Sequence, residues 1–372
     1  MARLRSVVLG SLLATSACGS TEPMGPPLGA SSSPSPAAAP TGGGLRSAIA
    51  SAMASAAAAT ATPEPIAAPK PPAVSYKTAV DVVFPEGLPA EAASCKPAGG
   101  HASAPGSSAA QDEAAIRCLL NTRFSGDAAS RDLALRFYDR VGAVTGVIRE
   151  HTMDGGWRGE LHLVPELPVG QYRKHLQWVV QSFEDIDAFF AGLDARRPAG
   201  TRSTYRYKAL EFRFFRSVGR TTPSAYATGW EVSYNVSGSL HANVDAVRET
   251  MFHEIFHSND AAHGQWSSKA LTSIVDGILD RCGQKTACLA PYAPGTTMVR
   301  GGTYYAFQKG NGVWEYAAEL ATRYFQEHRA ILKGDRLAKP PFKCGPPENG
   351  KAWSALVDEF FGVDLTPACG DK

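Results

Sequence analysis

Large apolar residues are sparse over the first hundred positions and then recur with two periods. Residues 128–140, with Leu133, Phe137 and Val141 four apart, predict a helix. Residues 171–193 predict a longer amphipathic helix from Leu176, Val179, Val180, Phe183, Ile186 and Phe190. Strand signals fall at 144–148 and 159–164, joined by the turn Asp154-Gly155-Gly156, and again at 205–215 and 230–236. Asn243 then stands as an N-cap before Val244, Val247, Met251 and Ile255, which share one side of a helix running to Ser258. Val313, Tyr316, Ala317, Leu320 and Tyr324 form the core face of a second such helix. Trp353, Leu356, Val357, Phe360 and Phe361 suggest a closing one.

Composition sets the N-terminal part apart. Arg3 and Arg5, the short apolar run from Val7 to Ala14, and small residues leading to Cys18 read as an export signal over 1–17. Two processing routes fit: cleavage after Thr15-Ser16-Ala17, or lipidation of Cys18. Small residues directly before a Cys, with a flexible tail after it, resemble a bacterial lipoprotein box, although Thr15 stands where that box usually has Leu. The favoured expectation is an anchor in an outer membrane through Cys18. Residues 18–75, rich in Ala, Pro and Ser, cannot bury a core and read as a tether. Residues 76–127 read as an N-terminal extension with a low-complexity loop at 96–110, and dense structure is expected from about Gln111 onward.

Seven cysteines leave six if Cys18 carries lipid, and an exported chain with six suggests three disulfides. Neighbour pairing gives Cys95–Cys118, Cys282–Cys288 and Cys344–Cys369. The formal net charge is +2 with no basic block, so nucleic acid is not an expected partner.

The most specific chemical signal is His253-Glu254-Ile255-Phe256-His257. Histidines four apart stack along one side of a helix and can bind one zinc ion. The intervening Glu254 can reach a water that the metal activates, and take its proton. This HExxH helix after a strand resembles the zincin metallopeptidases. The resemblance covers 128–372 and implies an α+β fold, with a mixed sheet, an active-site helix and a mostly helical C-terminal part. It also implies that strand 230–236 is the sheet edge on which an extended peptide substrate lies.

The third ligand has two candidates. Glu315 and Glu319 lie together on one side of the later helix. By likeness to gluzincins, Glu315 is the ligand, and Glu319 hydrogen-bonds a ligating histidine and fixes its orientation. The segment Glu315-Tyr316-Ala317-Ala318-Glu319 also resembles the lethal factor peptidase family, in which a Tyr upstream of the Glu stabilises the oxyanion; Tyr304 and Tyr305 are the candidates here. Alternatively, the spacing from His253 to His263 resembles the metzincin HExxHxxGxxH, with Asp260 in the Gly position and Met298 as a Met-turn. Glu315 is preferred to His263. Residues 301–307 read as a loop beside the cleft. The expected function is an exported zinc endopeptidase; the alternative is a surface lipoprotein that keeps the fold as a non-catalytic binding module.

Overall fold

The computed structural model describes residues 73–97, 109–155, 159–299 and 302–370. The export signal, Cys18, the tether up to residue 72 and most of the 96–110 loop lie outside the described residues. Within them the fold is α+β. In chain order the elements are α1 (Tyr76–Val83), α2 (Ala109–Arg123), α3 (Ala128–Val141), β1 (Val144–Val147), β2 (His151–Asp154), β3 (Glu160–Pro165), α4 (Arg173–Asp194), β4 (Glu211–Ser217), β5 (Ala225–Thr228), β6 (Glu231–Asn235), α5 (Val244–Ala262), α6 (Trp266–Ala270), α7 (Thr272–Cys282), α8 (Thr286–Leu289), α9 (Val313–Leu332) and α10 (Pro347–Leu356). A π-turn over Val357–Phe361 closes the last helix.

The sheet is mixed, in the order β2-β3-β4-β6-β5. β4 is its hub. β1 pairs parallel with one part of β4 and β3 antiparallel with another, while β6 runs parallel beside it. Phe212 and Phe214 of β4 are fully buried. They meet Tyr234 of β6, and Phe212 also meets Phe183 of α4 edge-on. The helices α3, α4, α5 and α9 pack in succession. On α5, Phe252 stacks on Tyr205 and Phe325, with ring centroids 5.0 and 4.4 Å away. The three disulfides join the expected neighbours.

Four expectations are corrected. Strand β6 does not form the sheet edge: it lies between β4 and β5, and the edge strand beside α5 is β5, whose Ala225-Tyr226-Ala227-Thr228 is too short and small to show alternation in the sequence. The turn at 154–155 joins β2 to β3, because β1 leaves to pair with β4. Residues 205–210 are not strand. Tyr205 turns inward to donate its hydroxyl to the Phe252 carbonyl at 3.0 Å, and Ala209 takes a positive φ of 56° before β4 begins.

Fourth, dense structure starts at α1, well before Gln111. Val82 and Val83 are fully buried. Gly146 of β1 lies so close to the α1 backbone at Val82 that a Cβ there would overlap it. Arg213 of β4 bonds Asp81 at 2.6 Å and Glu231 at 2.7 Å, fastening α1 to the sheet. The described residues between 76 and 127 thus belong to the same compact unit as the rest of the described chain.

Candidate metal centre

Helix α5 starts where the Asn243 side chain accepts the Ala246 N–H at 2.9 Å. Val247, Met251 and Ile255 are fully buried on its core side. That phasing leaves His253 and His257 on a different side, directed at α9. On α9 the buried Tyr316, Leu320 and Tyr324 likewise turn Glu315 and Glu319 toward α5.

The result is a tight convergence. His253 Nε2 lies 3.1 Å from Glu315 Oε2 and 3.1 Å from His257 Nε2, and His257 Nε2 lies 3.6 Å from the same Glu315 oxygen. One donor atom from each of the three falls within 4.8 Å of the others. Zinc–ligand bonds of about 2.0–2.1 Å in a tetrahedron place ligand atoms about 3.3 Å apart. The separations fit that figure, and two imidazoles with a carboxylate are a borderline-soft donor set suited to zinc.

Electrostatics moves the two acids in opposite directions. Glu315 is 2 % exposed, yet its carboxyl is held well below the usual range: burial opposes ionisation, and the two histidines outweigh it. Burial also opposes charge on His253, but the Glu315 carboxylate wins and pushes that imidazole up to about 9. Burial raises the carboxyl of Glu254, with only partial relief from the histidines. Glu254 is 7 % exposed, its Oε2 has no hydrogen-bond partner among the described residues, and it lines a cleft of about 190 Å³ with His253, Tyr305 and Glu319.

The two tyrosines part company. Tyr305 is buried, lines the cleft, hydrogen-bonds Glu315, and has its ring 6.2 Å from that of His253. Tyr304 is half-buried in a bridge with Met298 and packs against the core. Glu319 faces His253 Nδ1 at 3.8 Å, longer than the hydrogen bond expected of it.

His263 does not join the cluster. The metzincin pattern needs the chain to turn back at the Gly position, and here the helix runs through Asp260 to Ala262. Its carboxylate accepts the Ser267 N–H at 2.6 Å and the Ser267 hydroxyl at 2.7 Å, tying down the start of α6. His263 caps α5 and bonds Glu359 at 2.5 Å. Met298 is 37 % exposed, so it does not form a floor under the His253, His257 and Glu315 cluster.

Sequence reasoning missed the far end of the cleft, where Glu249, Thr250, Thr322, Arg323 and Gln326 meet. The signal was present as i, i+4 continuations of the two known stripes: Glu249 precedes His253 by four, and Arg323 follows Glu319 by four. No protein-family model, curated protein or solved structure matches this chain.

Proposed function

We propose that the chain is an exported zinc-dependent peptidase with a zincin-like catalytic domain, held at a membrane by lipid on Cys18. The observation that carries this reading is the convergence of His253, His257 and Glu315 next to an unpartnered, buried Glu254 on a cleft. A closed structural metal site needs no such base; a hydrolase does.

His253, His257 and Glu315 would hold the metal. When bound, zinc supplies Lewis acidity toward a substrate carbonyl and makes water acidic enough to attack near neutral pH. The chain's own residues do the rest. Glu254 accepts a proton from the attacking water and passes it to the departing amine. Tyr305 points its hydroxyl into the metal centre, where it can donate to the oxygen that gains charge as the carbonyl is attacked. Its phenol pKa is raised well above the ordinary value, chiefly by burial and then by Glu315 and Glu254, so it stays a donor. Ser224 and Ala225, at the start of edge strand β5, border the cleft and suit an extended peptide added to the sheet.

The test is Glu254→Gln with zinc analysis and a broad peptide-library digest. The wild type is expected to bind one zinc and cleave peptides, and the variant to keep the zinc and lose cleavage by several orders of magnitude. Full activity in the variant, or a wild type that binds no zinc, sinks the reading.

A further inference from the structure

The groove between α5 and α9 runs on past the metal centre, and its chemistry bears on the substrate. Glu249 lies one turn N-terminal to His253, about 6 Å along the helix axis at about 1.5 Å per residue. Successive Cα atoms of a peptide lie about 3.8 Å apart. A chain with its scissile carbonyl at His253 therefore carries a flanking side chain to Glu249.

The cations near this groove are already committed. Arg323 bonds Glu327 at 2.7 Å, and Arg248 and Arg329 both pair with Asp185. Among the described residues neither Glu249 nor Glu319 forms an ion pair with Lys or Arg; the Gln326 amide donates to Glu249, and Arg248 and Arg329 act on it only from their places beside Asp185. The hydroxyls are biased the same way. Thr250 donates to the Ala246 carbonyl and Thr322 to the Ala318 carbonyl, both at 2.9 Å. With their protons spent, both can only accept from a ligand. At the metal end Glu254 Oε2, buried and without a partner, adds another acceptor. The groove thus carries three carboxyl groups, Glu249, Glu254 and Glu319, against one guanidinium, Arg323, which is paired with Glu327; burial pushes the three carboxyls up, and a cation placed beside them favours their ionised forms.

We infer that it receives a basic side chain, Lys or Arg, next to the scissile bond, with Glu249 as its carboxylate partner. This specificity rests on the peptidase reading, whereas the groove's affinity for a cation does not. Lys offers three donors and Arg five, which matches the accepting hydroxyls and carboxylates.

Two measurements on the zinc-loaded full chain test it. The first compares kcat/KM for peptides that differ only in one residue flanking the cleaved bond: Arg, Lys, Leu or Glu. The basic peptides are expected to lead Leu by about tenfold, the scale of a charge-assisted hydrogen bond. Glu249→Gln is expected to bring that ratio near one, and Glu249→Lys to favour the Glu peptide. The second titrates N-acetyl-L-argininamide by calorimetry, which needs no hydrolysis; Glu249→Gln is expected to weaken it about tenfold. Preference for Leu or Glu in the wild type, or a ratio unmoved by Glu249→Gln, overturns the inference. If no peptide is cleaved, the peptidase reading fails by itself, and argininamide binding alone decides the groove: dependence on Glu249 upholds it and independence overturns it.

Discussion

Glu315 Oε2 on α9 lies 3.1 Å from His253 Nε2 on α5, across 62 positions of sequence. The expected consequence is that zinc content follows Glu315 and ignores His263. Glu315→Ala removes one of three converging donors and leaves two histidines without their carboxylate. Zinc affinity is expected to fall by more than the 10–100-fold typical of removing an outer partner of a metal ligand. His263→Ala breaks contacts with Glu359 and the Phe360 ring, neither of which belongs to the cluster, and is expected to leave zinc content unchanged. Zinc titration against a competing chelator reads both. Equal losses in the two variants would revive the metzincin arrangement.

A quieter substitution reaches the same centre. A Cβ at Gly295 would overlap the Glu319 carboxylate, which faces His253 Nδ1. Gly295→Ala is therefore expected to push Glu319 aside at little cost to the fold, since the displaced group is the end of a flexible side chain. Zinc affinity or activity should drop about 10–100-fold, as should that of Glu319→Ala. A thermal melt alongside the chelator titration separates this from unfolding. Unaltered affinity in both variants would remove Glu319 from the site.

The Tyr305 loop is held by bonds within its own segment and by two anchors from outside it. Tyr305 N–H donates to the Thr297 carbonyl at 2.9 Å, and Gln284 donates its side-chain amide to the Phe307 carbonyl at 3.0 Å. Thr286 bonds the Gly302 carbonyl. Both anchors sit inside the small loop closed by Cys282–Cys288. Replacing that pair with alanines is expected to cost about 2 kcal/mol in chain-entropy terms, because the closed loop is short. It should lower kcat more than it raises KM, with zinc retained, because the tyrosine loses its fixed place. An unchanged kcat would show that Tyr305 is held without the disulfide.

The parts of this site that the sequence makes legible are those set by helical spacing. His253 with His257 and Glu315 with Glu319 are i, i+4 pairs, and Val247, Met251, Tyr316 and Leu320 fix which way each helix turns. What spacing cannot show is register between elements. The Glu249 and Gln326 end of the groove depends on which turn of α5 meets which turn of α9. The role of β5 depends on where β6 pairs, and the place of α1 depends on Gly146 admitting a backbone. His263 misleads because the local pattern does not show that α5 runs on through Asp260 to Ala262, with the Asp260 carboxylate taken by the Ser267 hydroxyl and N–H.

Stability toward acid is expected to hinge in part on Asp127. This N-cap of α3 accepts the Ser130 N–H at 3.1 Å, the Gly170 N–H at 2.9 Å and Arg173 Nη2 at 2.6 Å. Arg173 first, then the Gly170 amide, hold its carboxyl well below the usual value against the opposing pull of burial. The unfolded chain binds a proton at this residue near pH 3.9, and the folded chain only at a lower pH. Where the unfolded state holds more protons, stability rises with pH. The contribution of Asp127 is therefore complete above about pH 5 and lost as pH falls through the unfolded and then the folded pKa. Asp127→Asn keeps a capping oxygen and loses the charge, so it is expected to be less stable than wild type at pH 7. The gap should close as urea midpoints are followed down toward about pH 2. A gap that stays constant with pH would mean that the cap geometry, and not the carboxylate charge, stabilises this corner of the fold.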